Sequence, residues 1–171
     1  MIAIKILQAD DVEQYREVRL DALSRSSEAF GATYEEEAER DIEATRSRLQ
    51  SLPHQFVLGA YDQEQLIGVV GFKQEQGVKF RHKGFIWGMY VKPEHRSQGV
   101  GRQLLHEAIR LAGLIEGLEQ INLSVVTSNN AKALYESFGF TSYGLERKAM
   151  KQNGTYYDEE LMKLTLPIRR M

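Results

Sequence analysis

Apolar and polar positions alternate from Ile2 to Leu7, and this period of two predicts a first strand. The period then lengthens. Val12, Tyr15, Val18, Ala22 and Leu23 recur at helical spacing, with Asp10 and Glu13 placed as an N-terminal capping pair. The pattern breaks through Ser24 to Gly31. A second capping box, Thr33 with Glu36, opens a helix along which Tyr34, Ala38, Ile42, Thr45 and Leu49 recur near helical spacing, ending before Pro53. Two apolar runs, Phe56 to Tyr61 and Leu66 to Phe72, are joined by Asp62-Gln63-Glu64-Gln65 and predict a hairpin. Glu75 to Gly77 predicts a turn, and Phe85 to Val91 a fourth strand. Leu104, Leu105, Ala108, Ile109 and Ala112 form the buried stripe of the next helix. Ile121 to Val126 is strand-like, and Ala131, Leu134, Tyr135 and Phe138 mark a short helix closed by Gly139. Phe140 to Leu145 and Tyr156 to Leu166 predict two last strands. Between them lies Gln152-Asn153-Gly154-Thr155, whose Asn-Gly pair favours a hairpin turn.

The order is β-α-α-β-β-β-α-β-α-β-β. It predicts an α/β chain (α+β in the sense of a mixed sheet), its central, mostly antiparallel sheet flanked by helices. No internal repeat or linker interrupts it, so residues 1–171 are expected to form a single domain. The 171 residues match one domain on length, and 42% apolar with 27% charged residues fit an ordinary globular protein. There is no cysteine, which excludes disulfides, thiolate metal sites and cysteine nucleophiles. The net charge of −2 and the lack of a basic run argue against nucleic acid or a membrane surface as partner. His54, His82, His95 and His106 show no metal-ligand spacing, so no metal is expected. The charged N-terminus does not read as a signal peptide, and a cytoplasmic location is expected.

The stretch richest in chemistry is Arg96-Ser97-Gln98-Gly99-Val100-Gly101. It joins the fourth strand to the helix that starts near Arg102. Glycine lets a ligand approach the backbone, and a helix start offers N–H groups without internal partners. Together they suit an anion, most naturally a phosphate. The dinucleotide fingerprint needs a third glycine where Leu104 stands. The ATP-binding P-loop needs Lys-Ser/Thr after its last glycine, and here Arg102-Gln103 follow Gly101.

A third pattern fits. The segment from Met89 to Leu105 resembles the acyl-CoA-binding motif of the GCN5-related N-acetyltransferases, Gln/Arg-x-x-Gly-x-Gly/Ala, through Arg96, Gly99 and Gly101. Downstream, Asn130-Ala131-Lys132-Ala133-Leu134-Tyr135-Glu136-Ser137-Phe138-Gly139-Phe140 resembles the family's second motif, a Leu-Tyr pair on a short helix that ends in Gly-Phe. The resemblance implies the acyl-CoA N-acyltransferase fold and acetyl-CoA as cofactor, without a metal. It implies acetyl transfer to the primary amine of a small molecule by direct attack, with homodimer formation as a further expectation. Coenzyme A carries a pyrophosphate, which suits backbone N–H groups from Ser97 through Gln98, Gly99, Val100 and Gly101 to Arg102. Charge-assisted hydrogen bonds of about 1.5–3 kcal/mol each would anchor it. The side chains of Arg96 and Arg102 either add positive charge there or lie solvated on the surface. The pantetheine arm would lie along the backbone of Met89, Tyr90 and Val91.

Tyr135 matches the tyrosine that gives a proton to the departing thiolate; the competing reading is a packing residue. Its ordinary pKa near 10 is close enough to that of a thiol. Asn130 would bond the pantetheine arm or cap its helix. Ser128 stands where many members carry asparagine, so Asn129 and Asn130 both remain open for the cofactor contact. The fourth strand holds no carboxylate, so the base lies elsewhere or water carries the proton. Glu28, Glu35, Asp158 and Glu159 are the candidates. On the acceptor side, Glu28, Tyr34, Glu35, Tyr157 and Asp158 are the expected contacts. The run Glu35-Glu36-Glu37 is either a solvated helix face or an entrance that favours cationic acceptors. Two other functions stay open: acetylation of a protein N-terminus or lysine, and a non-catalytic acyl-CoA-binding module.

Overall fold

The elements follow the predicted order with one helix more. A computed structural model of the chain describes residues 1–50 and 53–167. β1 (Ile2–Ile6) leads into α1 (Val12–Arg25), α2 (Tyr34–Glu39) and α3 (Ile42–Arg48). β2 (Gln55–Asp62), β3 (Gln65–Gln74) and β4 (Lys83–Val91) follow. Then come α4 (Val100–Ala112), β5 (Gln120–Val126), α5 (Ala131–Ser137), β6 (Thr141–Gln152) and β7 (Thr155–Thr165). The strand order is β1-β2-β3-β4-β5-β7-β6 in a mixed, seven-stranded sheet. β1 with β2, β2 with β3, β5 with β7 and β6 with β7 are antiparallel, while β4 and β5 run parallel through Lys83–Phe85.

The chain divides into two compact units. Among the described residues, one comprises those within Met1–Lys73 and Ile86–Ile115, the other Gln74–Phe85 and those from Glu116 onward. In the first, α1 turns Val12, Tyr15, Val18 and Ala22 into a core with Leu7, Leu49, Val57, Leu66, Val69 and Tyr90. This is the stripe the sequence predicted, and its burial is what holds the helix in place. α4 buries Val100, Leu104, Leu105, Ala108 and Ala112. In the second, Leu118, Ile121, Leu123, Val125, Val126, Tyr135, Phe140 and Met162 are buried. There the Tyr135 and Phe140 rings meet edge to face at 5.9 Å.

Three local expectations are corrected. The N-cap position of α1 is Asp11 rather than Asp10, and its side chain makes no cap bond to the helix: a short 3-10 turn, Ala9–Asp11, precedes α1, and the Gln8 N–H donates to Asp11 Oδ2 at 2.7 Å in that turn's own capping box. The helix expected from Tyr34 to Leu49 is two helices. Arg40 is extended (φ −65°, ψ 134°), and Asp41 accepts from the Glu43 N–H at 3.2 Å to start α3. The strand expected to end at Leu145 continues to Gln152 across an irregularity between Glu146 and Met150, where Lys148 takes φ +54°.

Candidate active site

In the first unit, β4 ends at Val91 and a 3-10 turn, Pro93–His95, carries the chain to the Arg96–Gly101 segment. Ser97 and Gly99 both have positive φ, at +62° and +79°. No atom lies within 4 Å of the place a Cβ would take at Gly99, so the backbone conformation alone calls for glycine there. Gly99 is the N-cap of α4 and supplies no side-chain hydrogen bond. The first helical N–H to find an acceptor is that of Gln103, which donates to the Gly99 carbonyl at 3.0 Å. The N–H groups of Val100 and Gly101 precede it and have no partner in helix geometry. Ser97, Gln98 and Gly99 are exposed. Backbone donors at the positive end of a helix of 13 residues are chemically suited to an anion.

The structure shows Arg96 bracing the end of β4. Its Nε donates to the Val91 carbonyl at 2.9 Å, and its guanidinium lies 5.5 Å from the Tyr90 ring centre. The Tyr90 hydroxyl donates to Asp21 Oδ2 at 2.7 Å. Arg25 bonds Asp21 at 3.0 Å and Glu94 Oε2 at 3.0 Å. A chain of polar contacts therefore fastens both ends of the loop's approach to α1. Burial, with the bond to Asp21, pushes the Tyr90 phenol up to about 12. Within β4, Gly88 has φ +64° and bends the strand just before Met89.

On the acceptor side of the prediction, Glu28 lies exposed in the Ser27–Ala29 turn, and Tyr34 and Glu35 are exposed at the start of α2. Of the acidic run, Glu35 and Glu36 are exposed and Glu37 is buried. Glu36 closes the capping box with Thr33. Glu37 is fully buried, 3.1 Å from Arg48 Nη1 and 3.6 Å from Arg40 Nε.

In the second unit, Tyr135 sits on α5 and is 6% exposed. Desolvation alone raises its phenol to about 12. The helix cap is made by Asn129, whose Oδ1 accepts from the Ala131 N–H at 2.8 Å. Asn130 is exposed and its side chain makes no cap. Asp158 Oδ1 accepts from the Lys148 N–H at 2.8 Å, so this carboxylate holds the irregularity in β6. Tyr157 pairs with Met150 across the hairpin. Glu159 lies opposite Glu146 on one side and Val126 on the other. Burial first, then the charge of Glu146, raises its carboxyl. Among the described residues, no group of three or more histidines, aspartates or glutamates is placed to hold a metal ion, and no helix is long and apolar enough to cross a membrane.

The sequence model of the family described as "Acetyltransferase (GNAT) domain" matches residues 4–161. The chain belongs to this family of acetyltransferases, the class the resemblance implied. It is 30% identical over 107 residues to the uncharacterized N-acetyltransferase YoaA of Bacillus subtilis, a match covering 62% of this chain and 59% of that one. It is 31% identical over 101 residues to the spermidine N(1)-acetyltransferase of Vibrio cholerae, covering 58% and 57%. The matched region spans about three fifths of the length of these two relatives. Among solved structures, yncA of Salmonella typhimurium with its cofactor acetyl-CoA superposes with a TM-score of 0.86 at 21% identity, covering 100% of this chain and 97% of that one. The likeness is one of fold.

Proposed function

We propose that the chain, acting as a single N-acetyltransferase domain, transfers an acetyl group from acetyl-CoA to the primary amine of a small molecule by direct attack. The observation that carries this reading is the uncapped start of α4, entered through left-handed Ser97 and Gly99. Ser97, Gln98, Gly99, Val100, Gly101 and Arg102 would hold the pyrophosphate. The backbone of Met89, Tyr90 and Val91 would receive the pantetheine arm; the Val91 carbonyl already accepts from Arg96, which leaves Arg96 to brace the loop. With Asn129 engaged in the cap, Asn130 is the residue we assign to the cofactor.

Acetyl-CoA supplies an acyl group activated as a thioester. The acceptor amine must be neutral to attack its carbonyl; the N–C bond forms as the C–S bond breaks. Tyr135 gives its phenolic proton to the departing sulfur. A phenol raised to about 12 stays protonated across the working range and is a hydrogen-bond donor there. For the base, Glu28 and Glu35 are exposed and Asp158 is occupied, so we assign Glu159, whose raised carboxyl is the better proton acceptor.

The test is thiol release from acetyl-CoA across a panel of amino acids, polyamines, aminoglycosides and peptides, beside a thermal-shift titration with CoA. The expected result is a CoA-induced rise in Tm with steady turnover of a small amine. Tight CoA binding without turnover on any acceptor would replace the enzyme by an acyl-CoA-binding module.

A further inference from the structure

Arg19 is the one buried cation among the described residues, at 7% exposure on α1. It makes no hydrogen bond and no ion pair with any described residue, and its Nε is sealed from water without a partner. Its guanidinium carbon lies 5.8 Å from the Phe30 ring centre, a contact that meets none of its N–H donors. Burying a cation unpaired is strongly unfavourable. Neighbouring carboxylates do not relieve it: Asp21 serves Tyr90 and Arg25, and Glu37 serves Arg48 and Arg40. The fork is aimed at β4, where a Cβ built on Gly88 would stand 3.5 Å from Nη1.

That location gives the missing partner a chemical identity. If the pyrophosphate lies at the start of α4, the pantetheine arm runs back along β4 from Val91 through Tyr90 to Met89. Gly88 is then next in line, about 10 Å of strand before Val91, where the reacting end of the arm arrives. This step rests on the acyltransferase reading above. We infer that Arg19 is a specificity-determining residue that pairs with a carboxylate on the acceptor, so that the substrate is an amino acid or a related amino carboxylate. Its planar fork matches a carboxylate in two-point geometry. A fixed positive charge at that point disfavours polycationic acceptors such as spermidine. The acidic run on α2 offers them little compensation: Glu36 is held in the capping box and Glu37 is buried against Arg48, which leaves Glu35 as the run's exposed, uncommitted carboxylate.

The experiment compares matched acceptors with acetyl-CoA: L-phenylalanine with phenethylamine, L-methionine with 3-(methylthio)propylamine, and spermidine. Wild type, Arg19→Gln and Arg19→Lys are assayed for kcat/KM, with the CoA-induced Tm shift as a check on fold and donor site. The expected wild-type result is a preference for the carboxylate member of each pair of about 10- to 100-fold, the range of a charge-assisted hydrogen bond. Arg19→Gln should collapse that ratio, and Arg19→Lys should restore part of it. Wild type that favours the decarboxylated amines or spermidine overturns the proposal. So does Arg19→Gln lowering both members of each pair by the same factor, which would place Arg19 on the acyl group instead. Wild type that binds CoA but acetylates no acceptor is tested for carboxylate preference by acceptor binding with CoA present, and no preference there overturns it too. Failure of both CoA binding and turnover would instead remove the acyltransferase reading, and this inference with it.

Discussion

The Tyr90 hydroxyl donates to Asp21 at 2.7 Å, joining the end of β4 to the third turn of α1. The same ring lies under the Arg96 guanidinium, and the same carboxylate accepts from Arg25. One tyrosine thus connects the helix that carries Arg19 to the strand that leads into the glycine loop. Tyr90→Phe keeps the ring and its 4% exposure but removes this bond. A hydrogen bond to a charged group contributes roughly 1.5–3 kcal/mol, and Asp21 keeps Arg25, so a loss near the lower figure is expected. Urea unfolding of the variant measures it. A stability equal to wild type would mean the bond does not hold in solution.

Buried phenols also set an alkaline limit. Tyr135 and Tyr90 are both raised to about 12, against about 10 in an unfolded chain. The sign follows from the protons: between these values the folded protein keeps a proton that the unfolded chain has released. Their contribution is complete below about pH 10 and is lost as pH rises towards 12. For Tyr135, which is 6% exposed, the loss is on the order of 2–3 kcal/mol. Stability measured in denaturant should be flat from pH 8 to 10 and fall steeply above it. Tyr135→Phe should flatten part of that fall. An unchanged slope in the variant would show that another group titrates.

Much of this fold was legible because burial followed periodicity. The stripes on α1 and α4, the β2–β3 hairpin and the Asn-Gly turn all depend on residues whose type and position agree. The exceptions share a cause. Tyr34, Ala38, Ile42, Thr45 and Leu49 continue one helical period across Arg40 and Asp41, yet the helix breaks there. Beside the break, Glu37 takes a core position as a carboxylate, paired with Arg48 and Arg40. Pattern reading assigns charged residues to the surface, and it missed Arg19 for the same reason. β6 beyond Leu145 carries no alternation, being mostly exposed, and its extension depends on Asp158 bonding the Lys148 N–H ten residues away. Pairwise side-chain contacts of this kind have no periodic signature. The turn into α4 was readable because its requirement, glycine at a helix start, is local.

Glu37 offers a direct test of the break in that helix. Replacing it by Ala leaves two arginines facing a buried site without their carboxylate. Removing one partner of a buried pair costs about 3–5 kcal/mol. The side chains of Arg40 and Arg48 are 37% and 25% exposed, so water offsets part of this and the lower end is expected. Glu37→Gln, which keeps shape and one acceptor, should lose less than Glu37→Ala. Denaturant midpoints of the two variants give the comparison. Equal midpoints in wild type and both variants would remove the ion pair as the organiser of α2 and α3.

At the glycine loop, two substitutions separate backbone strain from ligand contact. Gly99→Ala has room for its methyl group but must hold φ near +79°, which costs an L-residue roughly 1–2 kcal/mol. A modest drop in Tm is expected, with weaker CoA binding if the loop shifts. Gly101→Trp places a bulky side chain in the first turn of α4, beside the open N–H groups. It should abolish the CoA-induced Tm shift while far-UV circular dichroism stays that of wild type. A full CoA shift in Gly101→Trp would remove the phosphate from this loop.

Tyr135 is where packing and chemistry can be told apart. Its ring meets Phe140 edge to face and is sealed from water, so a packing role alone would survive the change to phenylalanine. If the hydroxyl supplies the leaving-group proton, Tyr135→Phe lowers kcat by about 100-fold or more, the usual range for a general acid, and leaves the KM for acetyl-CoA within a few-fold. The phenol titrates at about 12, so wild-type kcat should show no loss from this group below about pH 11. A change in acetyl-CoA KM with kcat retained would make Tyr135 a wall of the binding site. An unchanged kcat across the whole pH range would transfer the proton to water, and the acid would have to be sought outside α5.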